Sequence, residues 1–526
     1  MTPMPNPLES RSSTVLPWTG FGLACLLFGW LWLGYWDFWL DDAFITFRYA
    51  RNLAEGLGPV YNPGERAEGY TSALWMLLTA LPLSAPGGDG PALAAIKLSG
   101  LALGVWILFR CFTFPGSAGG SVRRWPVILL AADATFVANC GDGMETPLFM
   151  ALALEWARAL LRTPRGGSGL AAGLLTAALV WTRPEALPLL LLTPALVLAT
   201  HGAGSPARLW LRGFAAAGVL PVTAHVAWRW HYYGLPLPTT YYAKASGALL
   251  PRLQSGLADL AHFGLGQHSG IPLALWLALG LAAAGLWLAR GQRSSRVRTW
   301  YGALLGLIVF RVGFDVWAGS EAMGAYRFLA PALPPLFILA DEGGRAIAGR
   351  LRAGRPAAAL VAAGAALVLV LQISGHYERH RGRSAYQRGM ENAHIALGHW
   401  LAERHPEHAV VAIGDAGAVP FFSRLGAIDL WGLNDATIAQ LPGEYGDRPG
   451  TASYVLGRHP EVIVLWNLAS FIAERPQGQI AGAQAFDRDL AAHPEFQRDY
   501  RFVRELTFRP RRGRLGGYYL DVFERR

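Results

Sequence analysis

Two adjacent carboxylates stand where the first apolar stretch of the chain ends. Asp41 and Asp42 follow a run rich in tryptophan and leucine, within the sequence WLDDAFITFRYA at 39–50. Adjacent carboxylates repel each other, and dehydration at a membrane boundary adds to the cost of keeping both charged. Such a pair can divide two tasks, in which one carboxylate accepts a proton and the other holds a polar group or a cation. The pair therefore predicts acid–base chemistry at a membrane surface.

The residues that follow the pair predict a short amphipathic helix from Asp42 to Glu55, ended by Gly56 and Gly58. A carboxylate in the first turn of a helix is stabilised by the positive end of the helix dipole, and an aspartate there also serves as an N-cap. Capping needs one aspartate, so it leaves the second carboxylate unexplained. Both interpretations, a helix cap and a catalytic pair, stay open at this point.

The composition predicts a protein that crosses a membrane several times. The chain of 526 residues is 52% hydrophobic and 16% charged, with a mean hydropathy of +0.27. Soluble proteins are about a quarter charged. The net charge of +10 does not indicate nucleic-acid binding, because the arginines cluster in short loops between apolar runs. The three cysteines have a spacing that fits no metal site.

About eleven apolar runs are candidate membrane spans, and the arginines orient them. The run at 71–85 is either a further span or an interfacial helix. Treating it as interfacial places the arginine-rich loops, such as 290–298 and 345–355, on the cytoplasmic side. The N-terminus is then inside and the C-terminus outside. The predicted spans are 15–36, 91–113, 125–139, 145–161, 168–182, 184–200, 208–228, 270–289, 299–316, 327–341 and 355–374.

This topology brings polar residues from separate loops to the outer face of the membrane. Ionisable groups near membrane depth are usually paired or functional, so their convergence on one face favours a site there. The residues concerned are Asp41, Asp42, Asp142, Glu145, Arg183, Glu185, His231, Lys244 and Asp315.

The chain changes character after residue 375. Residues 1–375 are predicted to form a polytopic α-helical membrane domain, with a first outer loop at 37–90, and residues 376–526 a soluble α/β domain on the outer side. HAVVAIGDAGAVPFF (408–422) and PEVIVLW (460–466) predict buried strands. ENAHIALGHWLAERH (391–405) predicts an amphipathic helix. Asp415, Asp429 and Asp435 lie in turn contexts and favour a structural role.

Six segments, in order along the chain, resemble the GT-C glycosyltransferases that take sugars from polyprenyl-phosphate donors. Within that superfamily they are similar to the mycobacterial-type terminal β-(1→2)-arabinofuranosyltransferases and their bacterial relatives. The segments are the loop at 41–75, GDGMETPLF (141–149), TRPEALPL (182–189), HYYGLPLPTTYYAKAS (231–246), YRFLAPALP (326–334) and GDAGAVPFFSRLGAIDLWGLND (414–435).

The resemblance implies a GT-C fold and an inverting transfer of a sugar, expected to be arabinofuranose, to a glycan on the outer face of the cytoplasmic membrane. Asp41 or Asp42 matches the catalytic carboxylate. Lys244, Arg327 and Arg48 are the candidate ligands of the donor phosphate, although Lys244 and Arg327 also suit plain interfacial anchors. The candidate substrate-binding residues are Glu68, Tyr70, Asp142, Glu145, Arg183, Glu185, His231, Tyr241 and Asp315.

The resemblance leaves a metal cofactor open. In the wider superfamily a carboxylate at the place of Asp142 helps the first-loop aspartate to bind a divalent cation, while some members work without metal. Asp41, Asp42 and Asp142 are therefore candidate ligands of Mg, Mn or Ca. The segment before Arg327 departs from the Gly-Gly-Asp type sequence of the group, so Asp315 or Glu321 is expected to take the place of that aspartate.

The sequence also allows functions other than arabinofuranose transfer. The same fold could use another lipid-linked sugar, or a protein, lipid A or O-antigen acceptor. A membrane transporter of lipid-linked glycans is the rival from a different class, but transporters place ionisable groups near the midplane and have symmetric halves, and neither feature is visible here. A membrane-anchored binding or scaffold protein would not need Asp41 and Asp42, so substituting them separates it from an enzyme.

Overall fold

The protein divides into two compact units. The structure is a computed structural model, and the first unit comprises Met1–Trp36, Lys97–Thr223 and Leu250–His380, the second Asp37–Ile96, Ala224–Leu249 and Arg381–Arg526. The residues that the structure describes are 7–117, 125–244, 249–265, 272–291, 294–319, 326–351, 369–370, 372–376, 383–468, 482, 484–508 and 518–526.

Helices make up most of the described chain. The 3-10 turns Pro184–Ala186 and Ala330–Ala332 and the π-helical segments Ala215–Val219 and Met390–Ile395 separate or extend some of them. The α-helices are α1 Pro7–Leu33, α2 Asp41–Ala54, α3 Ala73–Leu83, α4 Asp89–Phe112, α5 Trp125–Ala131, α6 Ala134–Asn139, α7 Thr146–Leu160, α8 Gly166–Thr182, α9 Leu189–His201, α10 Ser205–Phe214, α11 Leu220–Tyr233, α12 Thr239–Lys244, α13 Leu249–Leu265, α14 Pro272–Ala289, α15 Ser295–Ala318, α16 Leu333–Leu351, α17 Ala396–Arg404, α18 Ala418–Ser423, α19 Ala436–Gln440, α20 Thr451–Gly457, α21 Ala485–Ala492 and α22 Pro494–Asp499.

Several of these helices can cross a membrane. Among the described residues, four helical stretches are long and apolar enough to do so, and they are Asp89–Phe112, Pro184–His201, Ser205–Tyr233 and Ser295–Ala318. The predicted fold class, a polytopic α-helical membrane protein, is confirmed. Most residues of the predicted span at 355–374, and Glu321, lie outside the described part of the chain.

Two apolar runs of the sequence form short helices in the structure. The run at 125–139 is not one helix but two short ones, α5 and α6, because Asp133 takes an extended backbone conformation and its carboxylate accepts a hydrogen bond from the Phe136 backbone N–H at 2.8 Å. The ambiguous run at 71–85 forms α3, whose 11 residues extend only about 16 Å along the helix axis. That length is about half of a ~30 Å hydrocarbon core, which agrees with the interfacial interpretation.

Small residues allow helices of the first unit to touch backbone to backbone. A Cβ atom on Gly173 of α8 would lie 2.6 Å from the carbonyl oxygen of Phe214 at the end of α10, and one on Gly169 would overlap the carbonyl group of Trp210. Close approach of this kind drives helix association in lipid, where apolar burial alone adds little. The contact holds α8 in place, and with it Arg183 at the C-terminal end of that helix.

The second unit contains a five-stranded sheet of β1 Val410–Ile413, β2 Gly426–Asp429, β3 Val462–Asn467, β4 Tyr500–Phe508 and β5 Tyr518–Arg525. The strand order is β2-β1-β3-β5-β4. β1 is parallel to both β2 and β3, whereas β5 is antiparallel to β3 and β4. The loops that follow the carboxyl ends of the parallel strands therefore lie at one edge of the sheet, where α/β proteins place functional groups.

The core of this sheet domain is built from the strands that the sequence predicts. Ala412 of β1, Ile463 and Leu465 of β3 and Phe486 of α21 are buried in one apolar cluster. The predicted helix at 391–405 is also present, as the π-helical segment Met390–Ile395 continued by α17. The predicted C-terminal α/β domain is thereby confirmed as a fold, and β2, β4 and β5 complete it.

Candidate active site

The adjacent aspartates occupy the first turn of α2 and differ in exposure. The N-cap of α2 is Leu40, in extended conformation, so neither aspartate is the N-cap. Both carboxylates still lie at the positive end of the helix dipole. Asp41 is 6% exposed, whereas Asp42 is only partly buried. The structure therefore gives the two members of the pair different environments.

Asp41 binds the N-terminal end of a helix in the sheet domain. Its Oδ2 atom accepts a hydrogen bond from the Gly417 backbone N–H at 3.0 Å, and its Oδ1 atom accepts one from the Ala418 N–H at 2.8 Å. Hydrogen bonds from backbone N–H groups to a carboxylate are charge-assisted and stronger than neutral ones. Asp41 thus caps α18, which follows it by more than 370 residues in the chain.

A histidine and a second aspartate lie beside Asp41. His394 Nδ1 is 3.6 Å from Asp41 Oδ1, and its Nε2 is 2.9 Å from Asp415 Oδ2. Burial opposes a charge on this imidazole, but the Asp415 and Asp41 carboxylates outweigh it and raise the pKa of His394 to about 10. His394 is therefore a buried imidazolium at neutral pH.

Aromatic groups enclose this carboxylate–imidazole cluster. The His394 ring stacks on Phe508 with centroids 5.0 Å apart. Asp415 Oδ2 also accepts hydrogen bonds from Trp466 Nε1 at 2.7 Å and from the Tyr518 hydroxyl at 3.2 Å. Asp415, which the sequence assigns to a turn, is part of this cluster. His394 itself was missed, because one histidine in an amphipathic helix carries no sequence signal.

Arg48 is engaged with protein oxygens and does not fit the predicted role of phosphate ligand. It is 5% exposed, and its guanidinium donates hydrogen bonds to the carbonyl groups of Tyr61, Pro420 and Leu425 and to Asn62 Oδ1. A guanidinium has five N–H donors, and four hydrogen bonds to protein leave little for a ligand. Arg48 connects α2 to the sheet domain instead.

Glu68 and Tyr70 are buried in the loop after α2 and have partners on α11. Arg229 Nε donates to Glu68 Oε2 at 2.8 Å, and the hydroxyl groups of Tyr70 and Tyr233 lie 3.1 Å apart. Burial raises the pKa of Glu68 to about 7, although Arg229 opposes the shift. The structure joins these two predicted residues to a helix, and Arg229 was not foreseen because it follows an apolar run like an ordinary flanking cation.

The segment 231–246 presents three predicted residues at a surface. His231, Tyr241 and Lys244 are exposed, and Lys244 Nζ lies 5.8 Å from the centroid of the Tyr445 ring. Arg448 holds the short helix α12 in place, because it donates hydrogen bonds to the carbonyl oxygens of Tyr242 at 3.1 Å and Ala243 at 2.9 Å. The exposed ammonium of Lys244 is accessible to a ligand, in contrast to the buried guanidinium of Arg48.

The first unit holds a separate chain of ion pairs. Arg183 lies 2.8 Å from Glu145 and 3.2 Å from Glu185, and Arg311 of α15 lies 3.1 Å from Glu185. Glu145 occupies the N-cap position of α7, whose first turn contains Pro147, but its carboxylate binds Arg183 rather than the helix N–H groups. The structure thus joins Glu145, Arg183 and Glu185, three of the predicted substrate-binding residues, in one chain of ion pairs.

Other polar residues of the first unit are buried in its helices and in the loops that connect them. Asp142 Oδ1 accepts a hydrogen bond from the Met144 backbone N–H at 2.9 Å, and Asp315 follows Arg311 by one turn of α15 and is fully buried. Arg327 is 9% exposed, with its guanidinium 5.4 Å from the Phe328 ring. Lys97, which was not predicted, donates to the carbonyls of Tyr35 and Gly141 and so fixes the loop before Asp142.

The candidate metal ligands belong to different units, Asp41 and Asp42 to the second and Asp142 to the first. Among the residues that the structure describes, no group of three or more His, Cys, Asp or Glu side chains could hold a metal ion. Asp41 already uses both of its oxygens for backbone N–H groups, which compete with a cation for the same lone pairs. A bound Mg, Mn or Ca ion therefore stays a prediction of the sequence.

Comparison with known proteins agrees with this architecture. Residues 379–523 match a family described as a domain of unknown function (DUF8728). Over 289 residues the chain is 29% identical to the terminal β-(1→2)-arabinofuranosyltransferase of Mycobacterium tuberculosis, covering 50% of the chain and 43% of that protein. The chain thus spans less than half the length of this curated relative.

Two solved membrane-protein structures share the fold. The archaeal oligosaccharyltransferase of Archaeoglobus fulgidus, in complex with an inhibitory peptide and a dolichol-phosphate, aligns with a TM-score of 0.54 at 11% identity, covering 85% of the chain and 69% of that protein. ArnT from Cupriavidus metallidurans in the apo state aligns with a TM-score of 0.52 at 14% identity, covering 86% and 93%. The chain is therefore an integral membrane protein of the GT-C fold, related in sequence to the terminal β-(1→2)-arabinofuranosyltransferases.

Proposed function

We propose that the protein is an inverting glycosyltransferase that moves arabinofuranose from a polyprenyl-phosphate donor to a glycan acceptor on the outer face of the cytoplasmic membrane. The observation that carries the proposal is the unequal pair at the start of α2, in which Asp41 is buried and held by two backbone N–H groups while Asp42 is only partly buried. Asp42 is the member of the pair that an acceptor hydroxyl can reach. Asp42 is therefore assigned as the base.

The proposed reaction is a single displacement at the anomeric carbon. The acceptor oxygen forms a bond to that carbon as the bond to the phosphate oxygen of the lipid breaks, and the electron pair leaves with the phosphate. The hydroxyl proton moves to the Asp42 carboxylate. General-base assistance of this kind contributes about 10²–10⁴-fold to a rate.

Positive charge for the leaving phosphate is assigned to Lys244, and Arg327 of the first unit stays a candidate from the sequence alone. Lys244 is exposed on α12, and Arg327 precedes the 3-10 turn before α16. An ammonium or guanidinium at the leaving group stabilises the negative charge that develops in the transition state. The dolichol-phosphate bound by the archaeal oligosaccharyltransferase supports a lipid phosphate as the leaving group.

The assignment to the outer face rests on the arginines. Placing the arginine-rich loops in the cytoplasm puts the α2 loop, the α12 segment and the sheet domain on the opposite side of the membrane. A lipid-linked sugar and a glycan of the cell envelope meet on that side. Labelling of single introduced cysteines at 63 and 292 from outside intact cells tests this orientation, with labelling expected at 63 alone.

A different acceptor is the second candidate. The oligosaccharyltransferase of the same fold carries a peptide, which favours a protein acceptor as the alternative, and another lipid-linked sugar would use the same residues. A lipid A or O-antigen acceptor is tested by the same assay with the acceptor exchanged. A transporter of lipid-linked glycans would move the donor without cleaving it.

The test is transfer by the purified full-length protein in detergent, with a panel of synthetic polyprenyl-phosphate sugars and short oligosaccharide acceptors. We expect product from the arabinofuranose donor, and Asp42→Asn should reduce kcat by about 10³-fold, because the base is lost. Asp489→Asn, on the exposed surface of α21, is the matched control and should be fully active.

The outcomes separate the parts of the proposal. If product forms only from a donor that carries a different sugar, the assigned donor sugar is wrong and the class of enzyme stands. Full activity of Asp42→Asn together with inactivity of Asp41→Asn reverses the assignment of the base. No product with any donor from well-folded protein contradicts the glycosyltransferase function.

A further inference from the structure

The helix that carries the catalytic pair is bound to one segment of the sheet domain, residues 416–427. Besides Asp41 and Arg48, Arg51 donates to the Phe421 carbonyl at 2.6 Å, and the Tyr61 hydroxyl donates to the Ala416 carbonyl at 2.6 Å. Asn62 and Ala427 exchange two hydrogen bonds, of 2.8 and 3.0 Å. All of these groups are buried, so each lost bond would leave an unsatisfied polar group.

Gly417 permits the closest of these contacts. A Cβ atom on this residue would lie 2.5 Å from Asp41 Oδ2 and would overlap the Asp41 backbone oxygen. Glycine is therefore required at this position for space. The sheet domain therefore receives the Asp41 carboxylate in a gap that only glycine leaves open.

His394 closes the other side of the Asp41 carboxylate. Its imidazolium stands between Asp41 and Asp415, and Asp415 is itself fixed by Trp466 and Tyr518. A buried carboxylate needs both hydrogen-bond donors and positive charge to remain ionised. The sheet domain supplies both, the N–H groups from the start of α18 and the charge from the π-helical segment that precedes α17.

We propose that the sheet domain positions the catalytic pair, with Gly417 and His394 as its positioning residues. By fixing Asp41 from two sides, they hold the first turn of α2 and thereby set the place of Asp42. This inference rests on the proposed function, and it gives a role to residues 379–523, which match a domain of unknown function. Neither residue touches the substrate; both act through Asp41.

The physical reason that such positioning matters is the short range of proton transfer. A general base works only within hydrogen-bond reach of the hydroxyl, and a displacement of about 1 Å costs about 10²-fold in rate. Displacing Asp41 would move Asp42, its neighbour in the same helical turn. Donor and acceptor binding, which other residues provide, would change much less.

The first test compares Gly417→Ala with Gly457→Ala in the purified full chain. Gly457 ends α20 in the same domain, and a Cβ atom there meets nothing within 4 Å. We expect Gly417→Ala to lower kcat by about 10²-fold with KM values for donor and acceptor within about twofold of wild type. Gly457→Ala should match the wild type in both constants.

The second test compares His394→Gln with His408→Gln, which changes an exposed histidine just before β1. His394→Gln removes the positive charge beside Asp41 without a large change in volume, and it should also lower kcat more than KM. This variant keeps the inference testable if Gly417→Ala does not fold. Wild-type kcat in both Gly417→Ala and His394→Gln would overturn the positioning role.

Hydrogen–deuterium exchange provides a readout that does not depend on activity. Gly417→Ala should raise exchange in peptides from α2, Asp41–Ala54, while β3 and β5 stay protected as in the wild type. Unchanged exchange in α2 would overturn the inference whatever the activity. Inactivity of the wild type with every donor would overturn the glycosyltransferase function, and faster exchange in α2 of Gly417→Ala would then leave the contact standing as structural support alone.

Discussion

The two units of the protein each contain a buried polar cluster, and the clusters are built on different principles. In the first unit, two arginines and two glutamates alternate along a chain from Glu145 to Arg311. In the second unit, Asp41 and Asp415 share a single imidazolium, and backbone N–H groups supply the remaining stabilisation. The first cluster balances its charges, whereas the second has more negative than positive groups.

Under the proposed function, the first cluster supports the fold and the second lies beside the reacting group. A chain of paired opposite charges is costly to break, because removing one partner leaves a buried charge without compensation. Such a chain therefore holds the ends of its helices together. A cluster with more carboxylates than cations keeps a negative charge that can attract a proton. His394 and the N–H groups of α18 stabilise that charge and so limit its energetic cost. The partly buried Asp42, next to that cluster, is the group we assign to proton transfer.

The largest effect is expected from breaking the ion-pair chain of the first unit. Arg311→Met removes a fully buried guanidinium from Glu185 and should lower the free energy of unfolding by about 3–5 kcal/mol, measured by thermal unfolding in detergent. Arg424→Met, which breaks an exposed pair with Glu55 in the second unit, is the control and should cost less than about 1 kcal/mol. Equal losses in both variants would mean that the chain does not support the unit.

The second unit should respond to pH where the first does not. The pKa of His394 is raised from 6.5 to about 10, so its charge stabilises the fold fully below pH 6.5, and this contribution is lost as the pH rises through about 10. His394→Gln should therefore be less stable than the wild type by about 2 kcal/mol at pH 6, and this gap should close by about pH 10. The groups facing the imidazole are Asp41, Asp415 and Tyr518, with Tyr386 close to Asp41.

Thermal unfolding of both proteins at pH values from 6 to 10 measures this gap. Because burial keeps the hydroxyls of Tyr386 and Tyr518 protonated, with pKa values raised well above 10, they do not contribute to the change. A constant gap over the whole range would show that His394 contributes packing rather than charge.

The smallest effect is expected at the exposed cation of the second unit. The chain has only two lysines, and Lys244 is the exposed one. Lys244→Met should raise the KM for the polyprenyl-phosphate donor about tenfold, or about 1.4 kcal/mol, with little effect on unfolding. Lys244→Arg keeps the charge and should stay close to the wild type. If Lys244→Met and Lys244→Arg behave alike, Lys244 is an interfacial anchor and not a phosphate ligand.

Much of the architecture was predictable because it follows from local patterns. The apolar runs predict membrane helices, the short buried-strand patterns in 408–422 and 460–466 predict β1 and β3, and the Asp-Asp pair predicts the start of α2. These features depend on residues close together in the chain. The break between α5 and α6 was not predicted, since one aspartate in an apolar run decides it through a hydrogen bond to its own backbone.

The sequence was enough to predict the class of fold and the carboxylate pair that follows the first apolar run. Only the tertiary structure decided the roles within that set: Asp41 became a cap for a helix more than 370 residues away, Arg48 a connection between segments, and His394 a partner of both Asp41 and Asp415. The physical reason is that burial and hydrogen bonding depend on which groups from distant parts of the chain meet in space. Neither composition nor local spacing shows which groups those are.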